Sequence, residues 1–280
     1  MNIDVICPLY KAEKYIENLH KSLLKQENVD LKNIRYIVTK SNDNTTKILK
    51  SMNAMFREIE PKDFSHSLTR EEELRRSDAD IVVFITQDII IKSDLWLYNL
   101  VKPIIDGECD ASYSRQIAKD NGIEKYTREL NYPKESKVIT KKDVEKLGIK
   151  AFFSSDASSA IRREVFLKLN GYDNKKIPTS EDMYITCKLI MNGYKVKYCA
   201  DSVIYHSHDY GVKENYKKYY DIGMFFKQNS YLNQYNVNKS GGNMAIYVLK
   251  RALQEKNIKV LMKFLPNMAS RFIGMKMGKI

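Results

Sequence analysis

The sequence of 280 residues is 43% hydrophobic and 29% charged with six prolines and 11 glycines, which fits a globular core and excludes collagen-like or low-complexity character. Four scattered cysteines (Cys7, Cys109, Cys187, Cys199) lack C-x-x-C spacing, which argues against a disulfide framework or zinc ribbon and favours a reducing compartment. The net charge of +12 is uneven: Gly211–Ile280 carries 13 Lys/Arg and three acids, so that segment contributes +10.

The opening MNIDVICPLY has neither the basic start nor the apolar core of a signal peptide. The longest apolar run, Ile81–Ile91, is broken by Thr86, Gln87 and Asp88, too early for a membrane span. A cytoplasmic protein is expected. Asn2–Leu9 reads as a buried strand, and Ile16, Leu19, Leu23 and Leu24 give helical spacing between Lys11 and Gln26. Ile34–Val38 is a second strand, followed by the polar turn from Lys40 to Thr45. Helical patterns over Thr46–Met55 and Ser67–Asp78 precede the most strand-like run, Ile81–Ile85. Strand and helix alternate over the first 90 residues, the pattern of βαβ units on a parallel sheet. Ligands of such sheets bind at the carboxyl ends of the strands, here Pro8–Ala12, Thr39–Thr45 and Thr86–Asp88.

Farther on, Gly107–Lys150 reads as polar and irregular, with a strand at Ala111–Ile117 and an exposed stretch over Tyr126–Val138. Ser158–Leu169 reads as a strand edge and short helix, and Asp182–Asn192 as an amphipathic helix that Ser180 could cap. Lys195–Tyr198 and Val203–Tyr205 read as two strands, and Asn236–Asn243 as a linker where Ser240-Gly241-Gly242 could hinge the tail. Two domains are expected, 1–235 and a basic amphipathic helical tail over 236–280. In the tail, Val260, Leu261, Phe264, Leu265, Met268, Phe272, Ile273 and Met275 alternate with cations, the composition of a helix lying on an anionic bilayer. Packing of that helix on its own domain is the competing expectation. Nucleic acid is not an expected partner: Tyr216–Tyr220 interleaves lysine and tyrosine, but no binding module accompanies it.

Three features carry chemistry. Asp88 ends a fully apolar strand, a costly place for a carboxylate without a partner. Glu181-Asp182 opens a helix, where acids complement the dipole and where a base would stay ionised. His206 and His208, two of only four histidines, project to one side of an extended chain.

In this order the features resemble those of the GT-A glycosyltransferases of family 2, and among them the bacterial rhamnosyltransferase-like group, over Asp4 to Tyr210. Val5–Lys11 resembles the opening strand and loop that contacts the donor base, and Phe64–Arg70 the segment that reaches the donor. Phe84-Ile85-Thr86-Gln87-Asp88 matches the Thr-Gln-Asp form of the metal motif, and Tyr113–Gln116 the Gly-Arg-Gln segment with serine for glycine. Phe152–Arg163, Gly171–Asp173, Ser180–Asp182 and His206–Tyr210 complete the series. One departure stands out: Thr39 occupies the place of the aspartate that grips the nucleotide base, and Asp43 is one position out of register.

The resemblance implies an α/β fold of GT-A (Rossmann-like) type, with a mixed, mostly parallel sheet flanked by helices. It implies an inverting glycosyltransferase in which Mg²⁺ or Mn²⁺, held by Asp88 with His206 or His208, stabilises a departing nucleoside diphosphate. Asp182 is the implied base, with Glu181 beside it. Pro8, Tyr10, Thr39, Ser41, His66, Arg70, Gln87 and Arg115 are the implied donor contacts. The best-fitting donor is dTDP-rhamnose, with a polyprenyl-diphosphate-linked glycan as acceptor at the inner face of the plasma membrane. A UDP-hexose or UDP-N-acetylhexosamine transferase on the same fold and a non-catalytic nucleic-acid-binding protein are the alternatives. A nucleotidyltransferase would want a glycine-rich phosphate loop that Pro8–Ala12 lacks.

Overall fold

The computed structural model describes residues 1–235 and 237–280, apart from the side chains of 237–240. One sheet holds β1 (Asn2–Leu9), β2 (Asp30–Thr39), β3 (Phe56–Ile59), β4 (Ile81–Ile85), β5 (Ile90–Ile91), β6 (Ala111–Ile117), β7 (Lys137–Ile139), β8 (Ser158–Arg162) and β9 (Val196–Tyr205). The helices are α1 (Ile16–Leu24), α2 (Thr45–Ser51), α3 (His66–Arg76), α4 (Trp96–Ile105), α5 (Ile123–Asn131), α6 (Val144–Leu147), α7 (Arg163–Lys168), α8 (Glu181–Met191), α9 (Val212–Gln228), α10 (Val237–Gln254) and α11 (Ile258–Lys279).

The strand order is β3-β2-β1-β4-β8-β6-β9, and the outer edge of β9 pairs with β7 near its start and β5 at its end. The first four strands are parallel, while β8 lies antiparallel between β4 and β6. Alternation explains the two cores. Ile3, Val5 and Cys7 of β1 and Ile81, Val83 and Ile85 of β4 face one hydrophobic cluster, whereas Ile6, Val82 and Phe84 face the other. Both faces are therefore covered, and polar groups gather at the strand ends.

Several boundaries differ from the sequence reading for local reasons. Phe56–Ile59, which the sequence reading leaves unassigned, is an edge strand, because Tyr36–Thr39 offers it a parallel ladder; the helix before it ends at Ser51 rather than Met55. The stretch expected to be exposed contains α5 and β7, and Tyr126 there is fully buried against Val248 and Ala252 of α10. The two strands expected near Lys195 and Val203 are one strand, β9, whose register against β6 skips Ala200–Ser202. Asn236 lies outside the described residues; Gly241 and Gly242 lie inside α10, so the backbone does not break at the expected hinge.

The tail packs on the rest of the chain: α10 against α5, and α11 against α9. The second contact is close because Gly223, Gly274 and Gly278 leave room for backbone, and a Cβ on Gly274 or Gly278 would collide with the carbonyls of Tyr216 or Tyr220. Among the described residues, α11 buries Val260, Asn267, Ser270, Arg271, Gly274 and Gly278, a mostly small and polar stripe. Other large apolar residues of the helix face solvent, with Met262 77%, Leu265 74% and Phe272 70% exposed, while Leu261, Phe264, Met268 and Met275 pack inward. No helix among the described residues is long and apolar enough to cross a membrane.

Candidate active site

Asp88 lies three residues beyond β4, where the chain has left the ladder. His206 and His208 follow β9, the strand whose last residues pair with β5 just after Asp88. Both imidazoles reach it: each Nε2 stands 3.4 Å from Asp88 Oδ2. One carboxylate oxygen and two imidazole nitrogens within 4.8 Å of one another form a donor set that fits a divalent cation. His206 Nδ1 donates to Gln116 Oε1 at 3.0 Å, which turns its Nε2 lone pair toward Asp88. Lys119 adds a positive charge, 3.9 Å from Asp88 Oδ2. Burial would raise the Asp88 pKa; His206, then His208 and Lys119, outweigh it and hold the carboxyl well below its ordinary range. Burial likewise lowers the pKa of His208, which keeps that ring neutral and able to ligate.

A second charged group forms at the same end of the sheet. Thr86 donates to the Ala157 carbonyl, so the loop before β8 runs beside the end of β4. In that loop Asp156 accepts from Ser159 at 2.6 Å and from Tyr172 at 3.2 Å. Glu181, in the first turn of α8, is buried and pairs with Arg70 at 3.2 Å. Ser65 caps α3 by accepting from the Leu68 amide, which places His66 and Arg70 on the first turns of that helix. Asp182 accepts from the Met183 amide at 2.7 Å. Burial, then the charges of Glu181 and Asp156, push the Asp182 carboxyl well above its ordinary pKa, against the amides of Met183 and Asp156. The sequence reading put the helix start in control of this group; the buried neighbours dominate. Ser180 does not cap α8 either, since it adopts φ 64° and its side chain makes no cap bond.

The expected donor contacts divide into several kinds. Thr39 is buried with no partner for its hydroxyl, so a polar group stands open at the place where aspartate was expected. Pro8 lies half-buried near the end of β1, and the Arg115 Nε is buried and without a partner. Ser41 donates to Asp43 at 2.7 Å, and Asp43 also receives Thr45, which ties the loop after β2 together. Gln87 is held at both ends by Tyr10, whose amide donates to Oε1 at 2.8 Å and whose carbonyl accepts from Nε2 at 2.9 Å. That amide clamps two loops and has both atoms engaged. Arg70 makes internal contacts, to Glu181 and to the His66 carbonyl. Burial and the Arg70 charge push His66 down to about 4, so this imidazole is neutral at neutral pH.

Other charges came from positions that the sequence reading left out. Arg128, on α5, donates to the His206 carbonyl at 3.2 Å. Lys218, on α9, places its ammonium 5.0 Å from the Tyr210 ring, which stacks on His208. Its charge bears on both His208 and Asp182.

Comparison with known proteins identifies the family. Residues 4–169 match Glycosyl transferase family 2. The chain is 33% identical to the O-antigen chain rhamnosyltransferase RfbN of Salmonella typhimurium (strain LT2), covering 100% of this chain and 90% of that protein. It is 31% identical to the O-antigen chain rhamnosyltransferase WbaN of Salmonella anatum, covering 98% and 88%. Among solved structures, the mannosyltransferase PcManGT of Pyrobaculum calidifontis, in complex with GDP-Man and Mn²⁺, superposes with TM-score 0.64 at 16% identity, over 98% of this chain and 84% of that one. Matched over more than half its length by the family and over its full length by a rhamnosyltransferase, the chain belongs to glycosyltransferase family 2 and is a glycosyltransferase.

Proposed function

We propose that the protein transfers rhamnose, with inversion, from dTDP-rhamnose to a lipid-linked glycan during polysaccharide synthesis, at the inner face of the plasma membrane. The observation that carries this reading is the Asp88–His206–His208 donor set at the carboxyl end of the sheet, with the Lys218 charge bearing on both His208 and Asp182. The similarity to two O-antigen rhamnosyltransferases supports rhamnose as the sugar.

A divalent cation bound by Asp88, His206 and His208 would act as a Lewis acid on the departing diphosphate. Two imidazoles beside one carboxylate suit Mn²⁺ better than Mg²⁺, which favours oxygen ligands and retains its waters. Lys119 and Lys218 supply further positive charge where the leaving group gathers negative charge. Asp182 takes the proton of the attacking hydroxyl, and its raised pKa makes it the stronger base once ionised. Glu181, fixed by Arg70, holds the opening turn of α8 and supplies the neighbouring charge. A single base and direct displacement invert the anomeric carbon.

The outward apolar stripe of α11 supports membrane association. Ile258, Met262, Leu265, Phe272 and Ile280 repeat at helical spacing along about 33 Å of helix, with Lys259, Lys263, Lys276 and Lys279 beside them. The test is release of nucleoside diphosphate from a panel of activated sugars, with Mn²⁺ and a lipid-linked acceptor. Acceptor-dependent release from dTDP-rhamnose is expected, and a preference for UDP-hexose or UDP-N-acetylhexosamine overturns the donor assignment.

A further inference from the structure

Two apolar cavities lie between the transferase core and the C-terminal helices. The inner one, about 370 Å³, is walled by Phe153 and by Met183, the residue after Asp182. It continues over Tyr198 and Phe226. The outer one, about 640 Å³, lies among α9, α10 and α11, walled by Ala245, Met268 and Phe272. Tyr219, Gly241, Met244 and Met275 line both, so the two cavities adjoin across these residues.

Charge and position limit what fits. Among the described residues the inner cavity is lined by Lys137 and Lys150 and the outer by Arg271, Lys276 and Lys279, with no acid in either. Arg271 is paired with Glu124 and Lys137 stands 3.9 Å from Asp143, which leaves Lys150, Lys276 and Lys279 at the edges of an apolar passage, a match for an anionic amphiphile. Phe272 and Ile280, 70% and 74% exposed, belong both to the wall of the outer cavity and to the outward stripe of α11. The outer end thus opens on the face proposed to lie on the bilayer, and the inner end is walled by the residue that follows the proposed base.

We infer that the two cavities join into one channel that holds the hydrocarbon chain of the acceptor, an isoprenoid diphosphate lipid that enters from the membrane along α11 and presents its head group toward Asp182. The inference rests on the reading of the protein as a transferase with a membrane-borne acceptor. Lys137 and Lys150 stand where the diphosphate would pass, and Lys276 and Lys279 where lipid phosphates would meet the entrance. Enclosing the chain removes it from water and fixes the distance between head group and base.

The probe is geranylgeranyl diphosphate, measured by calorimetry against inorganic pyrophosphate. The wild type should bind the isoprenoid at least tenfold more tightly. Gly241 lies at the junction, and a Cβ there meets nothing within 4 Å, so Gly241→Phe fills the channel without displacing backbone. That variant should lose the isoprenoid preference and retain Mn²⁺-dependent binding of dTDP. Equal affinity for the two probes, or an intact preference in Gly241→Phe, overturns the channel. A diazirine-bearing geranylgeranyl diphosphate gives a readout on the wild type alone: labelling of Met244, Met268 or Met275 is expected, and labelling confined elsewhere overturns the inference. Donor turnover separates the two ideas. Release of dTDP from dTDP-rhamnose without isoprenoid preference sinks the channel alone, whereas tight isoprenoid binding with no turnover of any nucleotide sugar sinks the transferase reading and leaves the channel standing.

Discussion

Arg70 and Glu181, 111 residues apart in sequence, form a buried pair with Nη1 3.2 Å from Oε1. Burial opposes the charged form of Arg70, and Glu181, then Asp156, raise its pKa in spite of it. One guanidinium thus serves a loop that crowds three carboxylates, Asp156, Glu181 and Asp182, at the mouth of α8. Removing one member of such a pair leaves a buried charge uncompensated, which costs about 3–5 kcal/mol. Arg70→Met should lower the melting temperature accordingly, and Arg70→Met/Glu181→Leu should regain much of the loss. Equal stability of Arg70→Met and the wild type would show that the pair is not holding α8 in place.

The raised pKa of Asp182 has two consequences of opposite sign. For catalysis the base must be ionised, so kcat/KM should rise with pH through an inflection above the ordinary aspartate value of about 3.9. Glu181→Gln removes the neighbouring negative charge that raises Asp182, so the inflection should move to lower pH. An inflection that stays in place with Glu181→Gln removes Asp182 from the role of base.

For stability the sign reverses. Because the folded pKa lies above the unfolded one, the ionised form is disfavoured by folding, and stability is lost as pH climbs from the unfolded value through the folded one. Asp182→Asn never ionises. It should abolish transfer and keep donor binding, and it should melt higher than the wild type at pH 7, a gain that fades toward pH 4. Thermal scans at the two pH values check this; a variant that melts lower at pH 7 refutes the buried-carboxylate account.

Both histidines stand 3.4 Å from the same oxygen of Asp88, so its replacement dismantles the whole donor set. Asp88→Asn should remove the strengthening of dTDP binding by Mn²⁺ and cut turnover by about 100-fold or more. Chelation should do the same to the wild type, with recovery on adding Mn²⁺. Calorimetry with and without the metal reads the first effect, and full turnover in the presence of chelator would end the metal assignment.

Much of this site could be read before the fold was known, and the reason is local. Asp88 stood out because a carboxylate ends the apolar run Ile81–Ile85, and the strand was found to its last residue. His206 and His208 stood out because alternation in extended chain sends both the same way, and both do reach Asp88. What stayed hidden depends on long-range packing. Gln116, which orients His206 across 90 positions, has no local mark beyond its place next to Arg115. Arg128 sits in a stretch whose polarity suggested exposure, until α10 covers it. The direction of the tail was hidden too, because its apolar residues look equally suited to a core; glycines at 223, 274 and 278 turn the other face of α11 inward.

Gln87 is a subtler test, since its two hydrogen bonds join the loop after β1 to the loop after β4. Gln87→Ala loses both, each contributing about 1 kcal/mol. The donor KM should rise by about tenfold while kcat changes less, because the amide positions loops that bind rather than groups that react. Steady-state kinetics over donor concentration separate the two parameters. A fall in kcat at constant KM would assign Gln87 to the chemical step.

Membrane association is best tested by changing the outward face of α11 without touching its inward one. Deleting the helix would expose α9 and break the bond from Arg271 to Glu124 at 3.0 Å, so a truncated chain could lose vesicle binding simply by unfolding. Met262 and Leu265 are 77% and 74% exposed and reach no core cluster, so Met262→Glu/Leu265→Glu leaves the packing intact. It removes apolar area from the stripe and introduces two negative charges that anionic lipid repels, each charge near the surface contributing about 1 kcal/mol. Sedimentation with phosphatidylglycerol vesicles should drop by about tenfold or more while the melting temperature stays within about 2 °C. Raising salt should weaken binding of the wild type without abolishing it, because the apolar part of the contact is unscreened. If the doubly charged variant sediments as the wild type does, the stripe faces something other than lipid.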